Sequence, residues 1–251
     1  MKETVKNKLK EIEEKEGVRI LHCVESGSRA WGFASPDSDY DVRFVYLRPR
    51  EHYLRLDGTR DVIEWQLDDT LDVNGWDLQK TLRLLHHSNP TVFEWDASPI
   101  VYQTTEEWQR VSAILKDYFS PKSGLYHYLH TAKCNYRDFL QGEQVKLKKY
   151  FYVLRPLLAC RWILKEGTPP PVPFDALADR YLAPKIAPVV EDLLTRKRET
   201  PEFGTGARID PLNEFLLQEM DDISAQLNAL PKEVLAPWPP LNELFRSLLE
   251  N

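Results

Sequence analysis

Only three cysteines, Cys23, Cys134 and Cys160, occur in 251 residues, and no two of them form a CxxC pair. So sparse and odd a set excludes a disulfide framework and a cysteine-ligated zinc site. No apolar run approaches the roughly 20 residues that span a bilayer, so no membrane partner is expected. The opening segment MKETVKNKLKEIEEKEG is charged throughout and lacks the apolar stretch of a secretion signal. A cytoplasmic protein with reduced thiols is therefore expected. No internal repeat is evident. What the chain does contain is ordinary for a globular protein: 42% apolar and 29% charged residues, which exclude disorder as the main state.

The net charge of -6 hides an uneven distribution. Residues 1–125 carry 17 Lys+Arg against 22 Asp+Glu, a balance of -5. Residues 126–200 carry 13 against 8, or +5, and residues 201–251 carry 3 against 9, or -6. An acidic chain with a basic middle can still receive phosphates there, although a solvated helix surface gives the same arithmetic.

Periodicity divides the chain. Val5, Leu9 and Ile12 mark a helix over 2–16 that Gly17 stops. Residues 18–24 and 41–47 are β-rich, and the first run ends at Glu25-Ser-Gly-Ser28. Residues 61–67 and 70–74 read as two strands joined by Asp68-Asp69. Leu78, Leu82, Leu84 and Leu85 then mark an amphipathic helix ending near Ser88-Asn-Pro90. Beyond residue 100 helical spacing dominates, and 13 of the 18 prolines lie after residue 125. Leu147, Phe151, Leu154 and Leu158 form one apolar stripe, on a helix that Pro156 should kink. The expected fold class is α+β, with a small mixed sheet in residues 1–100 and a helical module in 101–251.

Chemistry concentrates in GSRAWGFASPDSDYDVRF, residues 27–44, which joins one strand to the next. Asp39 and Asp41 are two apart, so on a strand both carboxylates point to one face. Paired anions of this kind need a cation, and oxygen ligands suit Mg²⁺. Gly27 lets backbone approach a ligand, Ser28 adds a hydroxyl, and nearby amides at a helix start can receive phosphate oxygens. Arg29 is placed for a charge-assisted phosphate contact, or else for a salt bridge with Asp37 or Asp39. Alone, an Asp-x-Asp is usually a solvated turn. Preceded at ten residues by Gly-Ser, with a strand before each, it is a far more specific signal.

That composite closely resembles the signature of the DNA polymerase beta-like nucleotidyltransferase superfamily. With DVNGWDLQKTLRLL, SNPTVFEWDASPIVY and KKYFYVLRPLLACRWI, the chain resembles the RlaP/YcgL-type nucleotidyltransferases from about residue 18 to about 175. The resemblance implies a nucleotidyltransferase module, followed by a helical domain that binds nucleotide and substrate. It implies transfer of a nucleoside monophosphate from an NTP to an acceptor hydroxyl, with pyrophosphate released. Gly27 and Ser28 would hold phosphates, and Asp39 and Asp41 would hold Mg²⁺ or Mn²⁺. A third carboxylate is expected on a later strand; Leu71-Asp72-Val73 fits best, with Asp77 and Glu64 as rivals. The acceptor implied first is RNA, a tRNA-like 3′ end, then a protein hydroxyl. A nucleotide-binding regulatory protein without chemistry is the competing class.

In the helical half, Lys148, Tyr152 and Arg155 share one helix face, suited to a triphosphate or a stacked base. His130, Lys133 and Arg137 make a second such face. Long cations shielding apolar surface are the bland alternative. His86-His87 reads as a favourable cation at a helix end, Cys23 as a buried small hydrophobe, and the tryptophans mostly as core.

Overall fold

The computed structural model describes residues 1–68, 70–199 and 204–250, with residues 66–68 described as backbone only. Two compact units emerge. The first comprises residues 1–30, 39–118 and 235–250; the second comprises Trp31–Ser38 and Phe119–Val234. The first unit thus runs on to Tyr118, and the chain returns to it at its end.

In the first unit α1 (Lys2–Glu16) ends at Gly17, whose φ of 61° provides the left-handed cap expected of it. Next come β1 (Arg19–Glu25), a single turn α2 (Gly27–Ala30) and β2 (Tyr40–Leu47). The short α3 (Arg50–Tyr53) precedes β3 (Val62–Asp68) and β4 (Leu71–Asp77), which pair antiparallel as the hairpin expected. Asp69 of its expected turn lies outside the described residues. Three helices and a strand follow: α4 (Leu78–His86), α5 (Pro90–Asp96), β5 (Val101–Thr104) and α6 (Glu106–Leu115). The sheet order is β3-β4-β2-β1-β5, with β2 and β4 parallel and the other pairs antiparallel.

Alternation sorts the strands' side chains. Val42, Phe44 and Tyr46 of β2 and Leu71 and Val73 of β4 join Val5, Leu9 and Ile12 of α1 in one buried cluster. Asp41, Arg43 and Asp72 therefore lie on the sheet's other face. Gly75 is required where it stands, because a Cβ there would sit 2.2 Å from the Phe44 ring.

The second unit begins with α7 (Pro121–Phe139), β6 (Gln144–Lys146) and α8 (Lys149–Glu166). It continues through α9 (Phe174–Tyr181), α10 (Ala187–Glu199), β7 (Thr205–Ala207) and α11 (Asp210–Ala229). β6 and β7 form a small antiparallel ribbon. Helix α8 packs against α7, α9 and α11 and is buried on every side from Val153 to Cys160, not along one stripe. Such enclosure suits a helix apolar nearly all round, and Pro156 lies inside it. Segment 31–38 contributes Phe33, fully buried against Phe151 and Phe174.

The chain from Leu235 forms α12 (Trp238–Leu249), which packs on α4 and α6. No described helix is long and apolar enough to cross a membrane.

Candidate active site

The first unit gathers the Gly-Ser turn, the start of β2 and the start of β4. β1 runs into Gly27, whose φ of 59° demands a residue free of Cβ strain. A Cβ on Gly27 would also lie 2.0 Å from Oδ2 of Asp41. Glycine at 27 therefore makes room for the carboxylate as well as the turn. The Ser26 amide donates to the Asp41 carbonyl at 2.8 Å, tying the turn to β2. Ser28 is buried, and the Arg29 guanidinium lies 3.7 Å from the Tyr40 ring centroid. Arg29 Nε donates to the Asp39 backbone carbonyl at 3.1 Å.

Asp41 and Asp72 are direct neighbours across the parallel β2–β4 pair, so their side chains emerge side by side. Arg43, two residues beyond Asp41 on the same face, stands between them. Its Nη2 donates to Asp41 Oδ1 and to Asp72 Oδ2, each at 2.8 Å. Its Nη1 donates to the carbonyls of Asp72 at 3.0 Å and Val42 at 3.1 Å. Burial pushes the Asp41 carboxyl above the ordinary carboxylate range; Arg43 opposes that shift, while Asp72 and Asp39 add to it.

Among the described residues, no three His, Cys, Asp or Glu side chains form a group able to hold a metal ion. The donor chemistry of Asp41 and Asp72 nevertheless suits a cation. A guanidinium already serves both carboxylates at once, and oxygen donors of this kind are those Mg²⁺ and Mn²⁺ take. Asp39 is exposed at the entrance to β2.

The rival third carboxylates are placed elsewhere. Asp77 is buried as the N-cap of α4, accepting from the Gln79 amide at 2.7 Å and from Tyr53 Oη at 2.9 Å. Glu64 is exposed on the edge strand β3, paired with Arg60.

Two residues missed in the sequence belong to this site. Arg43 was legible, since alternation along β2 carries the face of Asp41 on to it. Glu25 carried no comparable signal. It is fully buried at the end of β1, where it accepts from the Asp41 amide at 2.8 Å and from Tyr102 Oη. Burial pushes its carboxyl upward as well.

In the second unit the expected phosphate contacts are dispersed. Lys148 is exposed at the N-cap of α8. Tyr152 meets Trp31 edge-on, with ring centroids 5.4 Å apart. Arg155 is 2% exposed, lies 4.6 Å from the Trp31 ring centroid and donates through Nε to the Val172 carbonyl at 3.1 Å. It is a core cation rather than a solvent-facing one, because α8 is enclosed. Lys133 donates to Ser224 Oγ of α11 at 2.8 Å. Sequence reading missed Lys197 of α10, only 3% exposed and 5.5 Å from the Phe33 ring centroid. Burial lowers its ammonium pKa, and Lys148 lowers it further.

The histidines correct one expectation. His86, in the last turn of α4, is buried and stacked on Trp238 at 3.5 Å, so it packs as a ring rather than standing as an exposed helix-end group, and burial lowers its pKa. Cys23 is buried on β1, and burial pushes its thiol up.

Residues 1–247 match RlaP, described as an RNA repair pathway DNA polymerase beta family, and the chain belongs to that family of polymerase beta-like nucleotidyltransferases. It is 46% identical over 254 residues to a Bacillus subtilis (strain 168) protein called uncharacterized protein YcgL, covering 100% of this chain and 97% of that one. A nucleotidyltransferase-like protein from Exiguobacterium sibiricum 255-15 aligns over 88% of this chain and 73% of its own, at 14% identity and a TM-score of 0.32.

Proposed function

We propose that the protein transfers a nucleoside monophosphate from an NTP to an acceptor hydroxyl and releases pyrophosphate. The observation that carries this reading is the junction of Gly27, Asp41 and Asp72, where a Cβ-free turn lies against one of two adjacent carboxylates. In-line phosphoryl transfer asks a protein for positioning and charge neutralisation more than covalent help; this junction would supply the positioning, and a cation on its carboxylates the neutralisation.

Asp39, Asp41 and Asp72 would hold Mg²⁺ or Mn²⁺, which when bound neutralises triphosphate charge and activates the attacking hydroxyl. The remaining work falls to the chain itself. Gly27 and Ser28 bring backbone close to the phosphates, and Arg29 adds a charge-assisted contact. Glu25 holds the Asp41 amide and so would help fix the position of that residue. The first unit is the catalytic one in this proposal, and the helical unit binds nucleotide and substrate. There Lys148 contacts phosphate and Tyr152 offers a stacking face. Titrating Lys148→Ala, Lys133→Ala and Arg155→Ala with an NTP and with the free nucleoside separates phosphate contact from packing.

An RNA 3′ end is the favoured acceptor, supported by the family's description and by the +5 balance of residues 126–200. The decisive assay incubates the protein with each α-labelled NTP, Mg²⁺ or Mn²⁺, and RNA or protein extract. Label should enter RNA as pyrophosphate appears. Label in protein would reassign the acceptor to a protein hydroxyl. Asp39→Asn and Asp41→Asn should keep the fold yet lower transfer by roughly 10²–10³-fold, the scale of losing one preorganised electrostatic contact. Wild-type rates in Asp41→Asn would sink the mechanism. A nucleotide-binding protein without chemistry is the second reading, favoured by the Arg43 bridge between the carboxylates. It predicts NTP binding without pyrophosphate release.

A further inference from the structure

Arg43 is bound on several sides at once. One guanidinium serves four oxygens, two carboxylate and two carbonyl, drawn from both strands of the β2–β4 pair. Its side chain is 19% exposed, whereas that of Asp72 is 51% exposed and that of Asp41 31%. The arginine therefore lies deeper than Asp72 and holds it inward against Asp41. Without a positive charge there, two adjacent carboxylates, with Asp39 within electrostatic range, would repel one another in a partly buried setting.

A planar fork can bridge two carboxylates where a point charge cannot also reach the carbonyls. The same bridge has a consequence for any divalent cation. An oxygen of each carboxylate that such an ion would use is already bonded to Nη2. To use those oxygens the ion must displace the guanidinium or share them with it, and through Asp41 Oδ2 and Asp72 Oδ1 it would still bind against the guanidinium's charge.

We propose that Arg43 is a positioning residue that stands in for the divalent cation, holding Asp41 and Asp72 together until the ion displaces it. Cation affinity is then set by a competition inside the protein, and the site is kept folded and only weakly loaded without substrate. The inference rests on the metal-dependent reading above and adds to it the element that regulates loading.

The test measures Mn²⁺ binding, with no nucleotide present, to metal-free full-length protein by electron paramagnetic resonance or calorimetry. Wild type, Arg43→Gln, Arg43→Lys and Asp41→Asn are compared, each checked for folding by circular dichroism. Removing an internal competitor and its charge should tighten Mn²⁺ binding in Arg43→Gln by about ten-fold. Arg43→Lys keeps the charge but not the fork and should fall between the two. Asp41→Asn should weaken binding. A purely structural role for Arg43 would lower affinity or leave it unchanged, and a charge effect alone would leave Arg43→Lys at the wild-type value, so a gain in both variants marks the competition. Equal or weaker binding in a folded Arg43→Gln protein, beside measurable wild-type binding, overturns the proposal and leaves the metal-dependent reading standing. Absence of Mn²⁺ binding in wild type and both Arg43 variants overturns the metal-dependent reading, and this inference with it. If Arg43→Gln does not fold, Arg43→Lys decides by the same criterion.

Discussion

Gly27 carries two constraints at once, a φ of 59° and a carboxylate oxygen where its Cβ would be. Gly32 carries only the first, since its φ is 85° and nothing lies within 4 Å of its would-be Cβ. The pair separates backbone strain from the clash with Asp41. Gly32→Ala should cost about 1–2 kcal/mol in urea unfolding, the price of a left-handed alanine. Gly27→Ala should cost distinctly more and displace Asp41; equal losses would show that the carboxylate moves aside freely. Residue by residue, legibility tracked locality. The Asp39-x-Asp41 pair stood out because alternation along a strand is a local rule, whereas Asp72 was named through the family resemblance. Glu25 was not, because its partners Asp41 and Tyr102 lie 16 and 77 residues away.

At the level of elements, β1 shows how burial overrides composition. The run Arg19–Glu25 contains His22 and Glu25, yet every residue after Arg19 is buried. His22 stacks on Trp108 of α6, with ring centroids 4.7 Å apart and planes within 5°. Its Nε2 lies 3.2 Å from the Trp95 carbonyl and is read as the donor. Burial lowers its pKa below the ordinary histidine value, although the carbonyl opposes the shift. Below about pH 6.5 the unfolded chain therefore binds a proton that the folded chain refuses. Stability from this residue is present above that pH and is lost as pH falls toward the depressed value. His86 contributes with the same sign. Between pH 7 and 5 chemical unfolding should show His22→Phe losing visibly less stability, or gaining more, than wild type as pH falls. An identical slope in the variant would remove His22 from the account. β5 was missed at this scale, because four residues on a sheet edge have too short a pattern to outvote the helical spacing around them.

For the whole molecule, two units are assembled from five stretches of chain, and the last stretch belongs to the first unit. Helix α12 buries Leu241 and Leu248, Trp238 stacks on His86, and Tyr118 Oη donates to the Pro237 carbonyl at 2.9 Å. Burying two leucines alone contributes about 3–6 kcal/mol as an upper bound, a large share of a domain's roughly 5–15 kcal/mol. Deleting residues 235–251 should therefore lower the first unit's melting temperature and expose Trp238's stacking partner. The second unit's hydrogen-exchange protection should stay unchanged; an unaltered melt would make α12 dispensable. By itself the sequence determined strands β1 to β4, most helices and the Gly-Ser turn between β1 and β2, because each follows from spacing within a few residues. Only the tertiary structure decided that Arg43 binds Asp72 as well as Asp41, that Arg155 is interior and that residues 31–38 join the helical unit. Those outcomes depend on which distant segments pack together, and no local period encodes that choice.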